Sequence, residues 1–296
     1  MSILERCAAC AAAAALVALP GFALAQASSA PSVAPAAATA PPTTPSPSPS
    51  PSGPSDPCTS LLALVTRPTV TTTACSVKPD ALLIEIGYTN TTTSGNGGGV
   101  LVNYPQAELR LGLPGKLEFD VFPPSLNEAS GHPAVSGPSD VAAGLKYEIG
   151  YTSKALAGVG FVVSLPTGTR AFTSGESTYA FDFNFAYALS PNVGLSGTMA
   201  YNAGAMPETS GAVGRFSAFD PSLVLADALP DNFQVFFEGY GSTTAGPGLG
   251  SRYAIDGGLQ KDIGSRLQLD LEYGDVLTVT GGLHPHAVGF GAAYLF

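Results

Sequence analysis

The sequence predicts an all-β fold, an up-and-down antiparallel transmembrane β-barrel of about twelve strands, and three observations carry that prediction. From Ala81 to Phe296, apolar and polar residues alternate with period two in twelve segments separated by turn chemistry. The connections between segments alternate between long and short, the pattern of a barrel whose strands run up and down between two different rims. The chain closes on Val288-Gly-Phe-Gly-Ala-Ala-Tyr-Leu-Phe296, which as a strand sets Val288, Phe290, Ala292, Tyr294 and Phe296 on one side and Gly289, Gly291, Ala293 and Leu295 on the other.

Residues 1–25 read as a secretory signal peptide, with Arg6 near the start, an apolar stretch from Ala8 to Leu19 and Ala23-Leu24-Ala25 as a small-x-small cleavage site. The apolar core is shorter than the ~20 residues of a spanning helix. Cys7 and Cys10 leave with it.

Residues 26–57 are Pro, Ser, Ala and Thr with one charge, Asp56. Such a run cannot bury a core and favours extended conformations, so it is expected to be a disordered periplasmic spacer. Residues 58–80 hold the two remaining cysteines, Cys58 and Cys75, in a chain bound for an oxidising compartment. A disulfide between them is the expected use, worth roughly 3 kcal/mol in the chain-entropy model, because ligands for a redox or metal pair are lacking nearby. It would tie down the stretch just before the barrel, residues 81–296.

The twelve segments are approximately 81–90, 101–112, 116–122, 141–150, 156–165, 179–188, 193–202, 216–226, 232–240, 253–260, 267–273 and 287–296. Between them lie long loops (91–100, 123–140, 166–178, 203–215, 241–252, 274–286) and short turns (113–115, 151–155, 189–192, 227–231, 261–266) in strict alternation. Extracellular loops are long and periplasmic turns short in outer-membrane barrels, and an even strand number returns both ends to the periplasm.

One face of these strands is apolar throughout, with residues such as Ile84, Ile86, Leu109, Phe119, Phe161, Phe181, Leu223, Phe237 and Leu271. A charge on a lipid-facing position costs roughly 2–4 kcal/mol for Arg or Lys at the midplane, so an uncharged face is what lipid demands. The other face carries Glu85, Glu108, Arg110, Glu118, Asp120, Lys146, Glu148, Asp182, Glu238, Asp256, Asp270 and Glu272, which this register points into the lumen. Alternation alone would also fit a soluble lipocalin-like barrel with its apolar face inward. Tyrosines decide against that: Tyr88, Tyr179, Tyr201, Tyr253 and Tyr273 fall at the loop ends of the apolar face, and Tyr147, Tyr187 and Tyr294 at the turn ends. Two belts of tyrosine match the two membrane interfaces.

Composition agrees. The formal net charge is −10 and stays so after cleavage, since Glu5 and Arg6 are lost together, which disfavours nucleic acid as a partner. Only 11% of residues are charged, against an average near 25%, too few to cover a soluble surface.

The closing strand resembles that of outer-membrane β-barrels of Gram-negative bacteria, whose assembly machinery reads the C-terminal Phe; the resemblance implies outer-membrane lipid and that machinery, through Phe296, as partners. Several short pieces extend the likeness: Glu85-Ile-Gly-Tyr88, Asp140 with Gly144-Leu-Lys-Tyr147, Ser164-Leu-Pro-Thr-Gly168, Glu238-Gly-Tyr240, Asp256-Gly-Gly258, and Gln268-Leu-Asp270 with Tyr273-Gly274. Over about residues 81–296 they resemble the outer-membrane family catalogued as putative MetA-pathway of phenol degradation, whose members are commonly labelled transporters. That resemblance implies a barrel and a transport role, and fixes neither substrate nor mechanism.

The expected function is passive diffusion of small solutes, aromatic or cationic, through a mainly acidic lumen. Charged rings select ions in pores by that logic, while acids paired across a narrow interior would plug it instead. Glu85, Glu108 and Arg110 are expected side by side on a water-lined face, with no catalytic role. A non-conducting structural or adhesin-like barrel is the first alternative. A lipid-modifying enzyme is the second; it needs a Ser beside an oriented His, yet His132, His284 and His286 all fall in predicted loops and no lipase-like motif frames Ser130 or Ser136. His284-Pro-His286 offers at most a partial metal shell, and the glycine runs 95–99 and 246–250 precede no helix that could hold phosphate. No cofactor or metal is expected. Mass spectrometry of the exported protein is expected to place its first residue at Gln26; retention of residues 1–25 would replace the signal peptide with an uncleaved anchor.

Overall fold

The computed structural model describes residues 56–95, 97–131, 133–208, 210–278 and 283–296. The signal peptide and nearly all of the spacer lie outside the described residues. A one-turn 3-10 helix (Pro57–Thr59) and the short helix α1 (Leu61–Leu64) precede the strands. The strands are β1 (Leu82–Ser94), β2 (Val100–Leu113), β3 (Leu117–Phe122), β4 (Leu126–Ala129), β5 (Val135–Pro138), β6 (Val141–Tyr151) and β7 (Ala155–Leu165). They continue as β8 (Thr178–Ala188), β9 (Val193–Pro207), β10 (Val213–Leu229), β11 (Phe233–Ser242), β12 (Arg252–Ile263), β13 (Leu267–Val276) and β14 (His284–Leu295).

Twelve of these close into an antiparallel barrel, since β1 pairs with β2 on one side and with β14 on the other. Closure leaves no edge, so every strand's backbone is satisfied without water, as lipid requires. The last residue takes part: the Phe296 N–H donates to Leu82 O at 2.9 Å, and its ring packs edge-on against Tyr294 with centroids 4.6 Å apart.

β4 and β5 stand apart from the twelve. β3 pairs with the Leu109–Leu113 end of β2 and β4 with its Leu101–Tyr104 end, so β4 prolongs the line of β3 beyond Pro123 and Pro124. Proline donates nothing to a ladder, which is why the line breaks there. The segment 123–140, expected as a loop, is thus partly a hairpin rising from the rim. The loop expected at 203–215 is also largely strand, with β9 and β10 paired out to Pro207 and Val213. Ala203-Gly-Ala205 offers too little side chain to display alternation, but a ladder needs only backbone.

The solvent logic of a soluble protein is inverted. Phe237 is 56% exposed on the outside while its neighbour Glu238 is 0% exposed within, and Phe161, Phe181, Leu223, Leu271 and Phe290 share the outer face. Tyr147, Tyr179, Tyr187, Tyr201, Tyr253 and Tyr273 are exposed on it as well. No helix among the described residues is long and apolar enough to cross a membrane; the strands make the crossing. Phe237→Arg, mid-strand on β11, is expected to lower the unfolding free energy by about 2–4 kcal/mol in lipid vesicles. A urea titration that shows no change would place Phe237 outside the hydrocarbon layer.

Candidate functional site

The segment expected ahead of the barrel is folded inside it. Cys58 and Cys75 are joined, with Cα atoms 5.4 Å apart, and close a loop that enters the lumen from the rim of the short turns. Asp56 starts the turn by accepting the Cys58 N–H at 2.9 Å. The base of the loop is apolar: Leu61, Leu64, Val65, Ala74, Cys75 and Val77 pack with inward-facing Leu83, Leu156 and Ala293 of the wall. Toward the apex, residues 66–72, the contacts become polar.

Those polar contacts use carboxylates that the strand register turns inward. Glu85 accepts the backbone N–H of Thr66 at 3.1 Å and of Arg67 at 2.8 Å. Across the barrel, Glu238 accepts the N–H of Val70 at 2.8 Å and of Thr71 at 2.7 Å, with the Thr71 hydroxyl donating at 2.6 Å. Thr198 Oγ1 accepts the Thr72 N–H at 2.9 Å, and Gln260 Nε2 donates to Arg67 O at 2.7 Å. A carboxylate that accepts two or three N–H groups forms charge-assisted bonds, roughly twice as strong as neutral ones. The N–H groups of Thr66, Arg67, Val70, Thr71 and Thr72 are thus all taken up by side chains of the wall.

Arg110 on β2 ties base and wall together. Its Nη1 donates to Glu85 at 2.8 Å and its Nε to Glu118 at 2.9 Å. The same guanidinium donates to Leu64 O and, at 3.2 Å, to Cys75 O of the loop. Lys146 adds a second cation 2.6 Å from Glu118, which also accepts the Val77 N–H. Glu85, Glu108 and Arg110, expected on a water-lined face, are instead buried, Glu85 and Arg110 at 0% exposure. The loop supplies the cover that the strand pattern could not display.

The expected lumen residues fall into three groups. Glu85, Arg110, Glu118, Glu238 and Asp270 hold the loop. Glu108, Asp120, Lys146, Asp182, Asp256 and Glu272, together with Glu85, line a cavity of about 400 Å³ beyond the loop apex. Glu148 does neither; it pairs at 2.6 Å with Lys116 of the β2–β3 turn, and that bond raises the Lys116 pKa above its ordinary value. The cavity reaches Thr91, Leu101, Gly241 and Pro285 at the loop ends of their strands. Arg67, Arg252, Asp220, Tyr240 and Asp275 also line it. Arg67 was the missed residue of most consequence; its only signal was to be the sole cation between Cys58 and Cys75.

The histidines differ from expectation too. His284 and His286 open β14, paired with Ser94 and Thr92, and His286 lines the cavity; His132 lies outside the described residues. Among the described residues no group of three or more His, Cys, Asp or Glu is placed to hold a metal ion. Asp140 organises the loop after β7, accepting the N–H of Gly168 and of Ser174, each at 2.8 Å.

A closed twelve-stranded barrel, apolar outside and charged within, is a β-barrel of the outer-membrane class. The chain belongs to the family described as "Putative MetA-pathway of phenol degradation", which matches residues 67–296. Among solved structures it is similar to the COG4313 outer membrane channel from Pseudomonas putida F1, with TM-score 0.56 and 16% identity over 75% of this chain and 98% of that one. It is similar also to the NanC porin, with TM-score 0.50 and 11% identity over 71% of this chain and 98% of that one. No curated protein matches the sequence.

Arg110→Met is expected to destabilise the protein by about 3–5 kcal/mol, because Glu85 and Glu118 are left buried without their shared cation. Chemical unfolding of Arg110→Met beside the triple variant with Glu85→Gln and Glu118→Gln measures this. The triple variant is expected to regain part of the loss; an Arg110→Met protein as stable as the parent would show the network to be solvated.

Proposed function

We propose that this protein is an outer-membrane channel for small solutes that favours cations, closed on its periplasmic side by the Cys58–Cys75 loop. One observation carries the proposal: an acid-lined cavity reaches the rim of the long loops and ends on a loop apex held to the wall chiefly by hydrogen bonds. Besides Glu85, which is paired with Arg110, the cavity is lined by seven carboxylates, Glu108, Asp120, Asp182, Asp220, Asp256, Glu272 and Asp275, against three cations, Arg67, Lys146 and Arg252. Confined between low-dielectric walls, that excess attracts cations and excludes anions. The similar COG4313 protein is a channel and NanC a porin, which favours passage over catalysis. Apolar lining from Leu101, Phe122, Val162 and Phe172 suits a solute with a hydrocarbon or aromatic body and a positive head. Movement through the barrel follows the concentration gradient and requires the apex to leave the lumen.

The buried loop itself favours a second reading, a barrel that does not conduct. Planar-bilayer recordings of the parent and of Glu238→Ala separate the two. Loss of the Glu238 carboxylate frees the N–H groups of Val70 and Thr71 and is expected to raise mean conductance several-fold, with a reversal potential across a KCl gradient on the cation-selective side. Silence from both proteins at all voltages would favour the non-conducting barrel, and anion selectivity would overturn the role given to the carboxylates.

A further inference from the structure

The seam between the first and last strands carries a slot shaped by missing side chains. Gly87 on β1 and Gly291 on β14 are register partners, and both face inward. The guanidinium of Arg67 lies against them. A Cβ built on Gly87 would overlap its central carbon, and one built on Gly291 would overlap its Nε. Only glycine at both positions admits a flat group so close to the wall.

Two acceptors mark the ends of the slot. Gln106 Oε1 on β2 accepts from Nη1 at 3.1 Å, and Asp270 Oδ1 on β13 accepts from Nη2 at 3.2 Å. Gln106 is itself oriented by the Thr89 hydroxyl, which donates to the same oxygen at 2.8 Å. A shallow slot with acceptors at opposite ends suits a planar, forked cation; a tetrahedral ammonium can neither lie flat nor reach both. Gly87, Gln106, Asp270 and Gly291 all belong to the barrel, whereas Arg67 belongs to the loop. The slot therefore outlasts withdrawal of the loop, and Arg67 and Gln106 place it on the cavity wall.

We infer that the slot is a binding site for guanidinium- or amidinium-bearing cations, held in the closed protein by the chain's own Arg67. Binding stands on the slot alone; only its use in transport rests on the channel proposed above. Such a cation takes the slot once Arg67 has left and so stabilises the open arrangement by mass action, because it binds that state and is excluded from the other. The loop then acts as a tethered competitor, and a fitting solute promotes its own passage.

The test is calorimetric titration of the detergent-purified full chain with guanidinium chloride, far below denaturing concentration, and with ammonium chloride. Arg67→Ala empties the slot and is expected to bind guanidinium saturably, at least ten-fold tighter than the parent, with no saturable binding of ammonium. Adding Gly87→Ala is expected to abolish it, because the three atoms nearest a Cβ there all belong to the Arg67 guanidinium, whereas one at Gly291 would also meet the Ile86 carbonyl. Absence of saturable binding to Arg67→Ala, equal binding to the parent, or indifference to Gly87→Ala would overturn the inference. If Arg67→Ala does not form a barrel whose gel migration changes on boiling, Arg67→Gln, with a shorter neutral amide, carries the same titration. Conductance is recorded separately: binding without conductance leaves the slot and removes the channel, and conductance without binding does the reverse.

Discussion

The arrangement depends on one buried cation. Arg110 projects from β2 into a region without solvent, and a guanidinium there is tolerated only if its donors are matched. Glu85 and Glu118 match them from the neighbouring strands, and Leu64 O and Cys75 O match them from the two arms of the loop. The carboxylates keep accepting capacity to spare, and the loop's N–H groups at Thr66, Arg67 and Val77 take it up. Wall and loop thus satisfy each other. Without the loop the acids would need water, and without the acids the loop backbone could not stay in a closed barrel.

That mutual dependence explains what was legible in the sequence and what was not. Strand existence and facing were legible because lipid imposes a strict rule on one face: Phe237 and Leu271 must be apolar, so Glu238 and Asp270 must point inward. Register says where a side chain points, not what it meets. Glu238 reads the same whether water or the Thr71 backbone lies beyond it. The ends of β9 and β10 were missed for a related reason, since small residues hide a ladder that runs on backbone alone. Insertion of the loop was hidden because the wall partners of its polar apex, Thr66-Arg-Pro-Thr-Val-Thr-Thr72, are scattered from Glu85 to Asp270 along the chain. Its apolar base looked like any short packed segment.

The closing strand shows the same division. Gly289 and Gly291 are legible as inward positions with no side chain, hence as space in the lumen. The structure fills that space: Arg67 lies against Gly291, and the Glu272 carboxylate lies over Gly289. The two groups carry opposite charge on the two sides of β14, and each lies where glycine lets it approach the backbone. A strand that must be apolar outside for lipid and nearly bare inside for a guanidinium has little freedom left. Its composition, aromatic outward and Gly or Ala inward, answers both demands at once.

The two halves of the loop are held by different forces, which decides where it yields. At its base, Leu61, Leu64 and Val77 are buried against Leu83, Leu156 and Ala293, and the disulfide joins the two arms there. Removing these side chains would expose apolar surface at roughly 25 cal/mol per Å². The apex buries little apolar surface: Val70 is 46% exposed toward the cavity, and its bonds run to carboxylates and hydroxyls that water can replace. Bonds to charged groups contribute about 1.5–3 kcal/mol each, more than neutral ones, so Glu85 and Glu238 carry most of the hold on the apex. In the proposed channel, opening requires release of residues 66–72 from Glu85 and Glu238, beside the cavity. In that proposed motion the disulfide limits how far the apex can travel, because it joins the two arms of the loop at its base.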